Sequence, residues 1–321
     1  MYTIREEAIS IIHDITLKGT MAFPSIELEK YPAIILINGS GGSDRDGNMK
    51  KPAIHSNLYK ELAHFLTGLG FITLRYDKRS VGESEGDPIK SGMLDLVRDV
   101  KENIQYLKNH PKVDRDKILL LGHSEGCIIG TVAHQQMPVA GLILLAGAAS
   151  NLEEPMAYQN QLIIDEIKSL KGLKGIMLRM LVTEKKIKKQ AVDLKSKIEQ
   201  SQGDTMRYQL KKIPVRWFRE HYSFSTEMII DILKNSQCPI VAITGDKDVQ
   251  ANPANLKRIE QLEKPDATSV IIQNMDHMLK EFHGERTMLN LLKQYKNEAK
   301  DPIHNILKEE LKDWLTKNIL K

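Results

Sequence analysis

The sequence predicts an α/β protein, a mostly parallel, doubly wound sheet interrupted by a helical insertion. Three observations carry that expectation. Continuous apolar runs such as Ala33-Ile34-Ile35-Leu36-Ile37 have the composition of strands buried on both faces. These runs alternate with segments of helical spacing, the pattern of parallel strands joined by crossover helices. After Ser150 the alternation stops for roughly seventy residues, then resumes near Pro239.

The elements follow in order. Ile9, Ile11, Ile15 and Leu17 recur among polar neighbours, so the first thirty residues read as an antiparallel hairpin at a sheet edge. The Ala33–Ile37 strand is followed by a glycine-rich loop. Leu58 to Leu69 has helical spacing and stops at Gly70, and Phe71-Ile72-Thr73-Leu74 is the next strand. Met93 to Leu107 is an amphipathic helix, Ile118 to Leu121 a strand, and Val139 to Leu145 another. From Asn151 to about Phe224 the spacing is helical, with Gln161 to Leu170 and Ile176 to Val182 as its clearest pieces, and no strand is expected there. Met228 to Leu233 reads as a helix, Pro239 to Thr244 and Val270 to Ile272 as the last strands, and Ile303 to Ile319 as a closing helix. The organisation is therefore a first core part over 1–150, a helical insertion over 151–224, and a second core part over 225–321.

Composition narrows the function classes. A chain of 321 residues with 41% hydrophobic content can build one large core. A net charge of +4 over that length does not call for nucleic acid or an anionic membrane, and 5% aromatics leave little for base stacking. No run is long enough for a membrane span, and the acidic start Met1-Tyr2-Thr3-Ile4-Arg5-Glu6-Glu7 does not read as a signal peptide. Cys127 and Cys238 read as buried small hydrophobes rather than a disulfide, which fits a reducing cytoplasm. No cofactor is called for, and no metal-ligand spacing stands out. Homo-oligomer formation is left open.

The chemistry concentrates around Leu119-Leu120-Leu121-Gly122-His123-Ser124-Glu125-Gly126. A strand ends in Gly-x-Ser-x-Gly and a helix follows, the context in which a sharp turn lifts a serine hydroxyl above a sheet. With 20 glycines in the chain, the bare pattern arises by chance in roughly one sequence in fifteen of this composition, so it needs partners. A serine becomes a nucleophile when a base takes its proton and an acid holds that base. After one strand comes Gly245-Asp246-Lys247-Asp248, and after the next Asn274-Met275-Asp276-His277. Both loops lie just past strand carboxyl ends, where such sheets place their sites. His277 is the expected base. His283 lies farther from its strand, His123 cannot easily turn back to the serine, and His134 sits behind the elbow. Asp246 and Asp248 compete as the acid. Asp246 lies closer to the strand, where it would cap a turn, and Asp248 is favoured by its place in the loop. Backbone N–H donors for a developing oxyanion are expected from Glu125 and from the loop Asn38-Gly39-Ser40-Gly41-Gly42, with Ser40 preferred and Gly41 the alternative. That loop lacks the Gly-Lys-Ser/Thr ending of a phosphate cradle.

Taken in order, the loop Asn38–Asn48, the segment Arg75-Tyr76-Asp77-Lys78-Arg79-Ser80-Val81-Gly82-Glu83-Ser84, the elbow Gly122–Gly126, the loop Gly245–Asp248 and Asp276-His277 resemble the α/β-hydrolase superfamily. More narrowly, they are similar to bacterial acyl-ester hydrolases of the prolyl-oligopeptidase-like and dienelactone-hydrolase-like branches. The resemblance implies Ser124 as nucleophile, Asp248 as acid, His277 as base, the amides of Ser40 and Glu125 as oxyanion hole, and the insertion as a lid over an acyl pocket. It departs from the common pattern at Asn38, where many members have histidine, and at Ser80 and Cys127, where many have glycine. The implied activity is serine-dependent hydrolysis of a small-molecule carboxylic ester. Thioesterase, peptidase and acyltransferase chemistry use the same groups, and a silent binding protein on this scaffold is the contrasting class. In the insertion, Ile176, Met177, Met180 and Leu181 are expected to pack onto the core at least as readily as to touch substrate.

Overall fold

The structure is a computed structural model that describes residues 4–320, and the N-terminal stretch Met1–Thr3 considered above lies outside them. Eight strands form the main sheet: β1 (Arg5–Ile12), β2 (Thr16–Phe23), β3 (Tyr31–Ile37), β4 (Ile72–Tyr76), β5 (Val113–His123), β6 (Gly141–Leu145), β7 (Ile240–Gly245) and β8 (Ala267–Ile272). Their spatial order is β1-β2-β4-β3-β5-β6-β7-β8. The β1–β2 hairpin sits at one edge and joins the sheet antiparallel through β2 and β4, and every pairing from β4 to β8 is parallel.

Parallel strands need crossovers, and the helices supply them. Helix α1 (Leu58–Gly68) links β3 to β4, α2 (Met93–Asn109) links β4 to β5, and α3 (Glu125–Gln136) links β5 to β6. The period of two along each strand divides the core. Ile35, Ile37, Leu120 and Leu144 face the side covered by α2 and α3. Ile34, Leu36, Leu119 and Leu121 face the side covered by α1 and the C-terminal helix Asn305–Asn318. All eight of these side chains are almost wholly removed from water. Each contributes about 1.5–3 kcal/mol on that ground. The result is a rigid platform whose strand ends carry the loops of interest.

Between β6 and β7 lie α4 (Glu153–Ser169), α5 (Gly172–Leu181), α6 (Glu184–Gln200), α7 (Val215–Tyr222) and α8 (Thr226–Asn235). The expectation of helix without strand is corrected here. Thr205–Tyr208 and Lys211–Pro214 pair as an antiparallel hairpin between α6 and α7. Its turn residues Gln209 and Leu210 both take left-handed conformations, with φ of 46° and 67°. That is the geometry of a tight hairpin made without its usual Asn-Gly signature. A second correction concerns α5. Ile176, Met177, Met180 and Leu181 are 51–74% exposed rather than packed onto the core. Among the described residues, no helix is long and apolar enough to cross a membrane.

Candidate active site

The turn between β5 and α3 is shaped by what its glycines leave out. A Cβ on Gly122 would stand 2.3 Å from the carbonyl oxygen of Gly126, and one on Gly126 would stand 2.1 Å from that of Ile37. Ser124 itself adopts φ 55° and ψ −120°. Such a conformation costs a non-glycine residue on the order of 1–3 kcal/mol and persists because the surroundings over-determine it. Its N–H is held by the carbonyl of Leu145 at 2.8 Å. Gly147, on the neighbouring strand end, leaves the space that a Cβ would take from the Ser124 backbone, at 2.4 Å. Cys127 is buried with its thiol toward the Gly122 and Leu145 carbonyls, both 3.3 Å away. Burial pushes that thiol well above its ordinary range. Cys238 is likewise buried and unpaired.

The two loops past β7 and β8 meet. His277 Nδ1 lies 2.9 and 3.0 Å from the two Asp248 carboxylate oxygens. Asp248 is 1% exposed and also accepts the N–H groups of Gln250 and Ala251, each at 2.8 Å. Burial alone would lower His277, but the Asp248 charge and hydrogen bond outweigh it and raise the imidazole above its ordinary 6.5. Asp246 is exposed and spends its carboxylate on the Asn274 N–H at 2.6 Å, which fastens the histidine loop. Of the two candidate acids, Asp248 is therefore the one brought to the histidine. His283 is exposed and paired with Glu281, and His134 bonds Ser236 Oγ at 3.0 Å. Ser124 and His277 line one cavity. Among the described residues no hydrogen bond joins them, and such bonds commonly tighten only around substrate.

His123 does not turn back to the serine but bridges two loops. The Gly39 N–H donates to Tyr59 Oη at 3.0 Å, so the Tyr59 hydroxyl donates onward to His123 Nδ1 at 2.8 Å. His123 Nε2–H then donates to the His277 carbonyl at 2.8 Å. Burial, reinforced by neighbouring His277, lowers His123 to about 3, which keeps it neutral for this chain of bonds. The chain ties the glycine loop after β3 to the histidine loop after β8.

The segment Arg75–Ser84 braces that glycine loop. The Asp77 carboxylate accepts the N–H groups of Arg45 at 2.7 Å and Glu83 at 2.9 Å. Ser80 has φ 71°, which explains why glycine is common at that position. Asn38 is buried, with its amide nitrogen donating to the Asp44 carbonyl at 2.9 Å.

A buried polar group beside the serine was not legible in the sequence. The Glu125 side chain receives Lys78 Nζ at 3.3 Å, Trp217 Nε1 at 2.7 Å and His221 Nε2 at 3.0 Å. Burial would raise this carboxyl, but the Lys78 charge and the bonds from His221 and Trp217 bring it down to about 2. Trp217 and His221 stand four apart on α7, so one carboxylate docks that helix onto the first turn of α3. The i, i+4 spacing of Trp and His was the only local signal. Helix α4 docks nearby, with Tyr158 Oη donating to the Asp248 carbonyl and Gln159 to that of Gln250.

Two cavities open onto Ser124 and Ser40. One of about 300 Å³ runs beneath α4 and α7 and includes Ile128, Met156, Trp217 and Phe218 in its wall. The other, of about 190 Å³, includes Tyr59, His277, Met278 and Tyr295. A larger cleft of about 540 Å³ around His134 and Cys238 touches none of the residues brought together here.

With this geometry in hand, the sequence signature of the family described as serine aminopeptidase, S33, matches residues 53–283. The chain belongs to this α/β-hydrolase family. Esterase EstD of Thermotoga maritima is 23% identical over 297 residues, covering 89% of this chain and 62% of that protein. The chain thus spans less than two thirds of the length of the curated relatives it matches. Est1E from Butyrivibrio proteoclasticus, solved with ferulic acid bound, superposes with a TM-score of 0.62 at 18% identity, covering 98% of this chain and all of that one. The α/β hydrolase GrgF from Penicillium sp. sh18 gives 0.59 at 16% identity, covering 99% and 100%. The last two likenesses show the fold.

Proposed function

We propose that this S33-family member hydrolyses carboxylic esters of small, uncharged molecules through an acyl-enzyme. The observation that carries the reading is the buried Asp248–His277 pair beside a strained, cavity-lining serine. Asp248 holds Nδ1, which leaves Nε2 to take the Ser124 proton as Oγ attacks the ester carbonyl. The negative charge on the carbonyl oxygen is met by the N–H groups of Ser40 and Glu125. Collapse expels the alcohol, which receives the proton from His277. Water then adds to the acyl-enzyme with His277 as base, and Ser124 leaves with the proton as the acid is released.

The cavities support a division of the substrate. The smaller includes His277, the group that must protonate the alcohol, so the alcohol belongs there and the acyl group beneath α4 and α7. At about 30 Å³ for a water-sized group, they hold on the order of ten and six non-hydrogen atoms. Residues 151–224 then act as a lid, because α4 and α7 roof the acyl side. The name of the EstD relative favours ester over amide chemistry. Electrostatics speak against an aminopeptidase. Glu125 is the only carboxylate among the described residues lining either cavity, and Lys78, Trp217 and His221 already occupy it. A substrate ammonium would find no free anion there.

The test is a fluorophosphonate probe read by intact mass on wild type and Ser124→Ala, followed by p-nitrophenyl esters against aminoacyl-p-nitroanilides. The expected result is one adduct on wild type, none on the variant, and turnover confined to the esters. A folded wild type that takes no adduct would overturn the reading.

A further inference from the structure

We infer that Lys78 is a positioning residue of the oxyanion hole, acting through the Gly39 carbonyl. Lys78 lies just past the end of β4 and is 5% exposed. Its Nζ donates to the Gly39 carbonyl oxygen at 2.5 Å and to Glu125 Oε2 at 3.3 Å. The inference rests on the ester-hydrolase reading and extends it to a residue outside the Ser124–His277–Asp248 set.

The Gly39 carbonyl and the Ser40 N–H are two ends of one planar trans peptide. An ammonium that fixes the direction of the oxygen therefore fixes the direction of the N–H, which points the opposite way. It also draws electron density toward the oxygen and makes the N–H a better donor, because hydrogen bonds along one amide reinforce each other. The peptide stands beside the nucleophile. A Cβ on Gly39 would come within 3.0 Å of the Ser124 Cβ, and Ser40 lines both cavities that open onto the serine. The Gly39 N–H is already taken by Tyr59. Ser40 is thus the next donor along the loop, and its direction is set by a carbonyl that Lys78 holds.

The second contact matters as much. Glu125 supplies the other proposed donor, its own backbone N–H at the start of α3. One ammonium therefore binds the peptide that carries the first donor and the side chain of the residue that carries the second. This sets the spacing between the loop after β3 and the helix after β5. Preorganised donors lower the barrier because they need no reorientation as charge develops. The competing explanation is that Lys78 only balances the buried Glu125 charge.

The decisive comparison is Lys78→Met/Glu125→Gln against Glu125→Gln alone. The double variant buries no net charge at the pair, so it folds where Lys78→Met by itself would leave Glu125 uncompensated. Kinetics on a p-nitrophenyl ester should show kcat lower by about 10–100-fold in the double variant than in Glu125→Gln, with KM within about threefold, because the lost alignment acts only in the transition state. A trifluoromethyl ketone, whose adduct places an oxyanion in the hole, should lose affinity in parallel. If the double variant matches Glu125→Gln in kcat and in ketone affinity, Lys78 is a counter-charge and the inference falls. A wild type that neither turns over esters nor reacts at Ser124 would instead refute the ester-hydrolase reading, and this inference with it.

Discussion

Replacing Glu125 by Gln isolates the charge of one buried carboxylate from its shape. Gln keeps an acceptor for Trp217 and His221 but gives Lys78 no anion. The magnitude follows from the carboxyl's displacement. A group carried from an ordinary 4.5 down to about 2 contributes about 3 kcal/mol to folding at neutral pH, at 1.36 kcal/mol per pH unit. Breaking a buried ion pair by removing one partner costs about 3–5 kcal/mol by a separate line of measurement, so the two expectations agree. The folded carboxyl lies below its unfolded value. Its contribution is therefore complete above pH 4.5 and is lost as pH falls toward 2. Urea unfolding of wild type and Glu125→Gln at pH 7, 5 and 3 reads this directly. The stability gap should be about 3 kcal/mol at pH 7 and 5, and less than half that at pH 3, where the wild-type carboxyl begins to take its proton in the folded state. A gap under about 1 kcal/mol at pH 7, or one that persists undiminished at pH 3, would refute the reasoning.

Two further outcomes are expected. In Asp248→Asn the charge that raises His277 is gone, so if His277 is the base the acid limb of kcat/KM should move to lower pH than in wild type. Turnover should fall on the order of 10⁴-fold as the imidazole loses its fixed orientation. A pH–rate series decides it, and an unmoved limb would sever His277 from Asp248. In Gly126→Ala the new methyl must displace the Ile37 backbone, since its carbonyl would stand 2.1 Å away. A loss of about 3 kcal/mol in urea unfolding is expected, and a loss under about 1 kcal/mol would show that the elbow can yield.

The parts of this molecule that were legible in its sequence are those with a regular burial pattern, whether unbroken in the central strands or periodic in the edge hairpin and in α1 and α2. Strands β3 and β6, covered on both faces, read as unbroken apolar runs, and no tertiary knowledge was needed to place them. β5 is longer than its apolar stretch Ile118–Leu121 because its first residues, Val113-Asp114-Arg115-Asp116-Lys117, include half-exposed and exposed charges that carry no strand signal. The insertion hairpin went unseen because Gln209 and Leu210 pay for left-handed backbone without the residues that advertise it. In α5 the spacing of Ile176, Met177, Met180 and Leu181 identifies an apolar face, yet periodicity says nothing of what lies opposite a face, and here the chain supplies little cover. The site divides along the same line. The elbow and the two strand-end loops are local patterns, so Ser124, Asp248 and His277 could be nominated one segment at a time. Asp248 is preferred over Asp246 from its place in the loop, and the third dimension supplies the physical reason, since the Asn274 N–H takes the Asp246 carboxylate while Asp248 meets His277. The Glu125 group was out of reach altogether. Its bonds to Lys78, Trp217 and His221 span 47, 92 and 96 residues, and each partner taken alone reads as an ordinary surface or core residue. A site's nucleophile and base are confined to motifs by the backbone turns they require, whereas the charges that hold those turns in place can come from anywhere the fold brings them. Positioning residues of this kind are therefore found by asking what each buried charge touches.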